Sequence, residues 1–356
     1  MKGRPAPGSQ GILEEYESRR VRGLILILGS FALTVLLAVV FAALGTTDTT
    51  PADIARALLA LFSAQEPDTQ QKVILHLRLP RVAMAILAGV GLSISGAAMQ
   101  GITRNPLVSP FTIGVSDAAA FGASLSLVFG LGFFPGTQGG TVLTAFSLAF
   151  LSAAVVYLVS LRAGLSPETL VLTGIAINYL FSAATSVIQY FADEHRLAAA
   201  VAWAFGSFNG AQWDEVATSA VVVGLAALGL FACAPSLDLL ASGDDELAAS
   251  MGVHPGRVRT VAGALSVLAT AAIISFTGVI GFVGLAGPHI ARLLLGGSHR
   301  LLLPFSAAVG AILTLTADTI GRLILAPVLI PVGIVVSFLG VPIFINLILT
   351  RRKGGI

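Results

Sequence analysis

Few residues in this 356-residue sequence are of a type and spacing that do covalent chemistry. There is no G-x-x-x-x-G-K-[ST] phosphate loop, no H-E-x-x-H pair, and no nucleophile with a base set beside it by a motif. The single Cys233 excludes an intrachain disulfide, and with five scattered histidines no closed zinc site is predicted. No catalytic residue, metal or cofactor is assigned. Any ATP spent on behalf of this chain must be hydrolysed by another polypeptide.

The remaining candidates are ionisable groups inside apolar runs, where a charge costs about 2.5 to 3.5 kcal/mol and usually faces a cavity or a partner. Asp117, in G-V-S-D-A-A, reads either as a group facing a pathway or as an interfacial carboxylate capping a helix. Asp318 and Arg322 are four apart and can pair along one helix face. His289, in A-G-P-H-I-A-R, reads as functional or as a helix-packing histidine. An ion-coupled carrier would show buried acids and histidines in several spans, and this chain has little of that.

A polar island, 235–260, interrupts the apolar runs. Ser242 can cap a short helix, Asp244, Asp245 and Glu246 suit the positive end of its dipole, and Gly252 suits its exit. A second helix can begin at Pro255. Leu239, Leu240, Leu247 and Met251 give the pair an apolar side, and Arg257 and Arg259 mark re-entry into the membrane. The island is either a docking element for a protein in water or a solvated connection kept soluble by its acids.

Positioning these residues falls to long apolar helices. Hydrophobic residues make up 56% and charged residues 11%, with a mean hydropathy of +0.92. Soluble domains carry roughly a quarter charged residues. Apolar runs near 20 residues point to an all-α polytopic membrane protein embedded in lipid, not to a barrel. Ten spans are predicted: 23–44, 82–101, 111–131, 141–161, 169–191, 215–234, 260–280, 281–296, 304–325 and 332–349. Residues 45–81 read as a segment on the membrane surface, and Gly89, Gly91, Ser93, Ser95, Gly96, Ala97 and Ala98 allow close packing of the second span.

An even number of spans puts both termini on one side. Assigning that side to the cytoplasm gathers most arginines and lysines there, including Arg19, Arg20, Arg22, Arg104, Arg162, Arg257 and Arg259. Arg56, Lys72, Arg78, Arg81, Arg196 and Arg322 then fall outside. Five spans on either side of the centre would oppose the two halves, the ground for an inverted repeat. The sequence echo is limited to G-A-A-M-Q with N-P-L-V-S-P, and G-P-H-I-A-R with H-R-L-L-L-P. A formal charge of +2 gives no support to nucleic-acid binding.

Seven segments, in one order over nearly the whole chain, carry a family resemblance: L-R-L-P-R (77–81), G-L-S-I-S-G-A-A-M-Q (91–100), R-N-P-L-V-S-P (104–110), E-L-A-A-S-M-G-V (246–253), G-x-I-G-F-V-G-L-A-G-P-H (278–289), H-R-L-L-L-P (299–304) and P-V-G-I-V-V-S-F-L-G-V-P-I-F (331–344). The chain resembles the permeases of binding-protein-dependent ABC importers for iron complexes, haem and cobalamin. The resemblance implies a cobalamin-importer-permease-like subunit of ten helices, one domain over 1–356, in the inner (plasma) membrane with both termini cytoplasmic. Its partners would be a second copy in a homodimer, two ATP-binding subunits, and a periplasmic or lipid-anchored substrate-binding protein. Segment 1–22 would be cytoplasmic and 235–259 the loop that contacts the ATPase, through Ser242, Asp244, Asp245, Glu246, Leu247, Met251, Gly252, Val253, His254, Arg257 and Arg259.

Arg78 and Arg322 match arginines that meet acidic residues of the binding protein, and the path candidates are Ser95, Gly96, Met99 and Asp117. At Asp117 the related permeases commonly carry a neutral Asn or Ser, which puts the charge of the substrate in doubt. An ion-coupled secondary transporter is the alternative from another class, and a receptor or scaffold without transport is a third reading.

Overall fold

The computed structural model describes residues 9–44, 49–60 and 66–351, so part of the expected 1–22 segment lies outside the described residues. The helices are α1 (Ser9–Ala43), α2 (Pro51–Ala60), α3 (Thr69–Val73), α4 (Leu79–Thr103), α5 (Val115–Phe129), α6 (Gln138–Arg162), α7 (Pro167–Tyr190) and α8 (Glu194–Ala204). They continue with α9 (Trp213–Ala232), α10 (Ala234–Ser242), α11 (Asp245–Ser250), α12 (Pro255–Thr277), α13 (Val283–Leu295), α14 (His299–Leu323) and α15 (Val332–Arg351). No strand occurs among the described residues. Seven helical stretches are long and apolar enough to cross a membrane, and Val115–Phe129, Val283–Leu295 and Val332–Pro342 are shorter apolar helices. Each of the ten expected spans coincides with one of these.

Three departures from the expected layout have local causes. The second span starts at Thr69, not near residue 82, because a π turn at Ile74–Arg78 joins α3 to α4. Pro80, which has no N–H to give the bonding ladder, falls directly after that turn, in the first turn of α4. Asp193 caps an unexpected helix, α8, by accepting from the Arg196 amide. The span expected at 281–296 is a half-helix, α13, of 13 residues. At 1.5 Å per residue it is ~20 Å long, against a hydrocarbon core of ~30 Å. The non-helical approach at 278–282 has Gly278 at φ 73° and Phe282 at φ 70°. Gly278 and Ile280 are buried and Val279, Gly281 and Phe282 partly so, and irregular backbone at membrane depth is tolerated where protein shields it.

The centre of the bundle is α4, which packs on α14, α12, α13 and α9. Its contact with α14 runs antiparallel in four-residue steps. Arg81 meets Asp318, the Thr314 hydroxyl donates to the Ala85 carbonyl at 2.7 Å, and Gly89 meets Gly310. A Cβ added at Gly89 would lie 2.3 Å from the Gly310 carbonyl oxygen. On the neighbouring face, a Cβ at Gly96 would lie 1.7 Å from the Gly284 oxygen at the start of α13. Small residues thus bring three backbones within touching distance, the device by which helices associate where lipid supplies no hydrophobic drive.

We expect Gly96→Val to be unable to close the α4–α13 contact, with a loss of at least the 1–3 kcal/mol (about) typical of overpacking. Gly224 has open space around its Cβ position, and Gly224→Ala should be neutral to within about 1 kcal/mol. Thermal unfolding of the two variants in detergent measures the difference; equal midpoints would contradict the close approach.

Candidate functional site

The polar island folds as two short helices, α10 and α11, in front of α12. Ser242 is not the cap expected from its sequence. It closes α10, its hydroxyl donating to the Leu239 carbonyl at 3.3 Å. The extended Gly243 breaks the chain, and the Asp244 carboxylate accepts the Leu247 amide at 2.7 Å as the cap of α11. Gly252, at φ 84°, turns the chain out of α11, with the Val253 amide donating to the Ala248 carbonyl at 3.0 Å. His254 then leads into Pro255, the first residue of α12. The expected common apolar side divides in two. Leu240 is buried against the bundle, whereas Leu247 and Met251 are 51% and 59% exposed, with Glu246, His254 and Arg257 exposed around them.

The carboxylates of this hairpin face different ways. Asp245, although its side chain is 45% exposed, bonds inward, accepting from Arg259 Nη1 and Nη2 at 2.6 and 2.8 Å and from Arg104 Nη2. Arg259 is only 2% exposed and also donates Nε to the Ile102 carbonyl at 3.2 Å, and Arg104 donates to the Leu240 carbonyl at 2.7 Å. Arg259 therefore sits inside the bundle, where it ties the hairpin to the C-terminal end of α4. Asp238 on α10, which sequence reasoning passed over, accepts from the His299 amide at 2.6 Å, from His299 Nδ1 at 2.7 Å and from the Ser298 hydroxyl at 3.2 Å. The His299 ring is buried beside Gly101, which has no side chain to displace it.

Hydrogen bonds from the Arg259 guanidinium hold the Asp245 carboxyl below the usual carboxylate range against the opposing effect of burial, with the nearby charges of Arg259 and Arg104 adding to them. Burial alone would raise Asp238, but the His299 and Ser298 donors outweigh it and leave that carboxyl lowered as well.

At the other end of the same helix pair lies a cavity of ≈ 950 Å³ lined by Arg78, Arg81 and Arg322 with His76, Asn209 and Trp213. The expected Asp318–Arg322 pair forms at 3.3 Å, but the closer partner is Arg81, whose Nη2 reaches Asp318 Oδ1 at 2.8 Å and whose Nε contacts both oxygens. Arg81 was legible only as the second arginine of L-R-L-P-R, three residues after Arg78. Arg78 donates to the Ala42 and Ala43 carbonyls at 2.9 Å, and Arg322 to the Phe41 and Leu44 carbonyls at 3.0 and 3.1 Å. Two guanidiniums so occupy four successive carbonyls at the C-terminus of α1, groups that a helix cannot satisfy itself.

Ser95, Gly96 and Met99 are buried on α4 and line none of the cavities described; Gly96 serves the contact with α13. Asp117 lies half-buried in the first turn of α5. His289 is buried on α13, where Arg292 Nη2 donates to Gln100 Oε1 at 3.1 Å. No group of three or more His, Cys, Asp or Glu able to hold a metal occurs among the described residues.

Residues 32–350 match the FecCD transport family. The chain belongs to that family. It is 36% identical over 344 residues, 96% of this chain and 87% of the relative, to the iron(3+)-hydroxamate import system permease protein FhuB of Bacillus subtilis. It is 37% identical to the hemin transport system permease protein HmuU of Yersinia pestis, covering 82% of this chain and 88% of that one. The cobalamin import system permease protein BtuC of Halobacterium salinarum is 35% identical over 80% of this chain and 76% of its own. A solved metal-chelate type ABC transporter in an inward-facing conformation superposes with a TM-score of 0.80 at 33% identity, covering 91% of this chain and 98% of that one. The all-α, polytopic permease fold is shared with that structure.

In this FecCD permease, the buried Asp318 is ion-paired with both Arg81 and Arg322, so Asp318→Ala takes that carboxylate from both guanidiniums. We expect a loss of roughly 3–5 kcal/mol, the scale for removing one member of a buried ion pair, read from thermal unfolding in detergent. Asp245 behaves differently with pH. Its folded pKa lies below the unfolded value of about 3.9, so its contribution is complete above that value and is lost only as pH falls through the lower folded one. The gap in melting temperature between the native chain and Asp245→Asn should therefore be the same at pH 5 and pH 8; a gap that closes toward pH 5 would contradict the assignment.

Proposed function

We propose that this chain is the membrane-spanning permease subunit of a binding-protein-dependent ABC importer, working as a homodimer with two ATP-binding subunits on the α10–α11 side. The reading rests on family membership and on one structural observation. A polar hairpin is fastened into the bundle by its inward carboxylates and offers Leu247 and Met251, four residues apart, to water. An apolar pair rimmed by Glu246, His254 and Arg257 on an otherwise polar loop is the composition of a docking core with a polar rim.

In this reading the hairpin, with both termini, lies in the cytoplasm and the three-arginine cavity lies outside. The distribution of Lys and Arg among the loops supports that orientation. Three arginines against one lining carboxylate, Asp214, leave the cavity net positive, which suits acidic residues of a substrate-binding protein, with Arg78 and Arg322 steering and registering it. The relatives point to a metal-chelate cargo of the iron–siderophore, haem or cobalamin class, with selection left mainly to the binding protein. ATP-driven closure of the partner subunits presses on the hairpins, and the helices switch the opening from one side of the membrane to the other. Asp117, on α5, belongs to the proposed path.

Loss of a buried apolar anchor typically costs 2 kcal/mol or more at an interface, and 1.4 kcal/mol is tenfold in affinity. Leu247→Glu with Met251→Glu should lower the ATPase subunit recovered with the purified permease by about tenfold or more, while the permease still inserts and elutes as before. Undiminished recovery would remove the hairpin from the interface.

A further inference from the structure

Two carboxylates of the hairpin, Asp238 and Asp245, bond toward the bundle while part of each side chain stays in water (31% and 45% exposed), and each is used on a different transmembrane helix. Asp238 takes both the backbone amide and the ring Nδ1 of His299, at 2.6 and 2.7 Å, together with the Ser298 hydroxyl, and so holds the first turn of α14. Asp245 takes the Arg259 guanidinium of α12 with both oxygens and also Arg104, the residue that ends α4. Arg259 and Arg104 in turn donate to the Ile102 and Leu240 carbonyls, which closes the loop back onto α4 and α10. The His299 ring is 1% exposed and wedged against Gly101 of α4.

Neither carboxylate is spare, since each replaces water for donors that burial has stripped of it. Charge-assisted bonds of this kind are short, directional and resistant to shear. A displacement of the hairpin cannot leave the bonded backbone of 102–104 and 298–299 where it was without breaking them.

Resting on the import reading above, we propose that Asp238 and Asp245 are positioning residues that divide the motion of the hairpin between two outputs. Asp238 passes it to α14, and Asp245 passes it to α4 and α12. The outward Leu247–Met251 face makes the contact with the partner; the inward carboxylates turn that contact into movement of the spans. Contact and transmission are then separable by mutation, which a single docking role for the whole acidic hairpin does not allow.

The test uses the whole complex, permease with its co-purified ATPase subunits and binding protein in proteoliposomes. Asp238→Asn and Asp245→Asn each keep the shape and remove the charge. We expect both to retain the ATPase subunits at native stoichiometry and to hydrolyse ATP, while substrate taken up per ATP hydrolysed falls roughly 2- to 30-fold, the span of coupling changes seen for residues that touch neither ligand. Asp245→Glu, which keeps the charge, should recover part of the ratio. A second measurement needs no variant: hydrogen–deuterium exchange of the native complex with and without a non-hydrolysable ATP analogue should change together in peptides covering 245–251, 100–105 and 298–303.

Native uptake per ATP in both Asn variants, or exchange that changes in 245–251 while 100–105 and 298–303 stay silent, overturns the proposal. If an Asn variant loses its ATPase subunits, the exchange measurement alone decides. Failure of the native permease to bring down any ATPase subunit would remove the importer reading itself, an outcome distinct from an assembled complex whose Asn variants stay coupled.

Discussion

The antiparallel contact between α4 and α14 is the constraint on which the molecule depends. Its centre is a backbone-to-backbone approach at Gly89 and Gly310, where no side chain fits; the Arg81–Asp318 ion pair closes one end and the His299 ring packs on Gly101 at the other. A helix pair in lipid gains nothing from hiding apolar surface, because the tails are as apolar as the side chains. It gains from dispersion at close range and from polar bonds that water does not compete for. This seam has both, and the four-residue step keeps the contributing residues on one face of each helix.

Because the same two helices run from one to the other, the cavity and the hairpin are mechanically adjacent although far apart. A 25-residue helix such as α4 is ~37 Å long, so Arg81 and Arg104 sit at opposite membrane faces on one rigid rod. α14 is the same length and runs the other way, with His299 at the hairpin end and Arg322 at the cavity end. α12 and α13 lean on the rod through Arg259 at Ile102 and through the Gly96–Gly284 approach. A shift at one end therefore has few ways to be absorbed before it reaches the other, since close-packed glycine contacts do not compress and a buried ion pair does not bend freely.

What could be read in advance follows the reach of local pattern. The ten apolar runs, the small residues of α4, the exit at Gly252 and the start at Pro255 are all properties of a few neighbouring residues, and all appear in the fold. Counting spans puts Arg78 and Arg322 at one end, and both line the same cavity. What escaped is pairing across the chain: Arg81 with Asp318 is separated by 237 residues and Asp238 with His299 by 61. Periodicity sees partners three and four positions away, so it found Arg322 for Asp318 and missed the stronger Arg81. Residue type favours Ser242 as a cap, yet Gly243 falls directly after it and hands the role to Asp244. The short α13 escaped for a related reason, as hydropathy registers an apolar run without seeing that Gly278 and Phe282 take the chain out of helical geometry.

An acidic loop beside a membrane invites the reading that its acids all serve solubility or a partner, and the geometry argues otherwise. A carboxylate left in water gains little from an arginine nearby, because solvent screens the pair and long side chains lose freedom in forming it. Asp245 gains more because Arg259 is buried and already fixed by the Ile102 carbonyl, so the ordering cost is met before the carboxylate arrives. Asp238 gains for the same reason, its donors being a backbone amide and a buried ring held by Gly101. By contrast Glu246 stays exposed on the outer face with Leu247 and Met251. The order Asp244, Asp245, Glu246 therefore places three similar residues in three different jobs: a helix cap, an inward tie and a surface charge. Only the rotation of α11, set by Gly243 before it and Gly252 after it, distinguishes them.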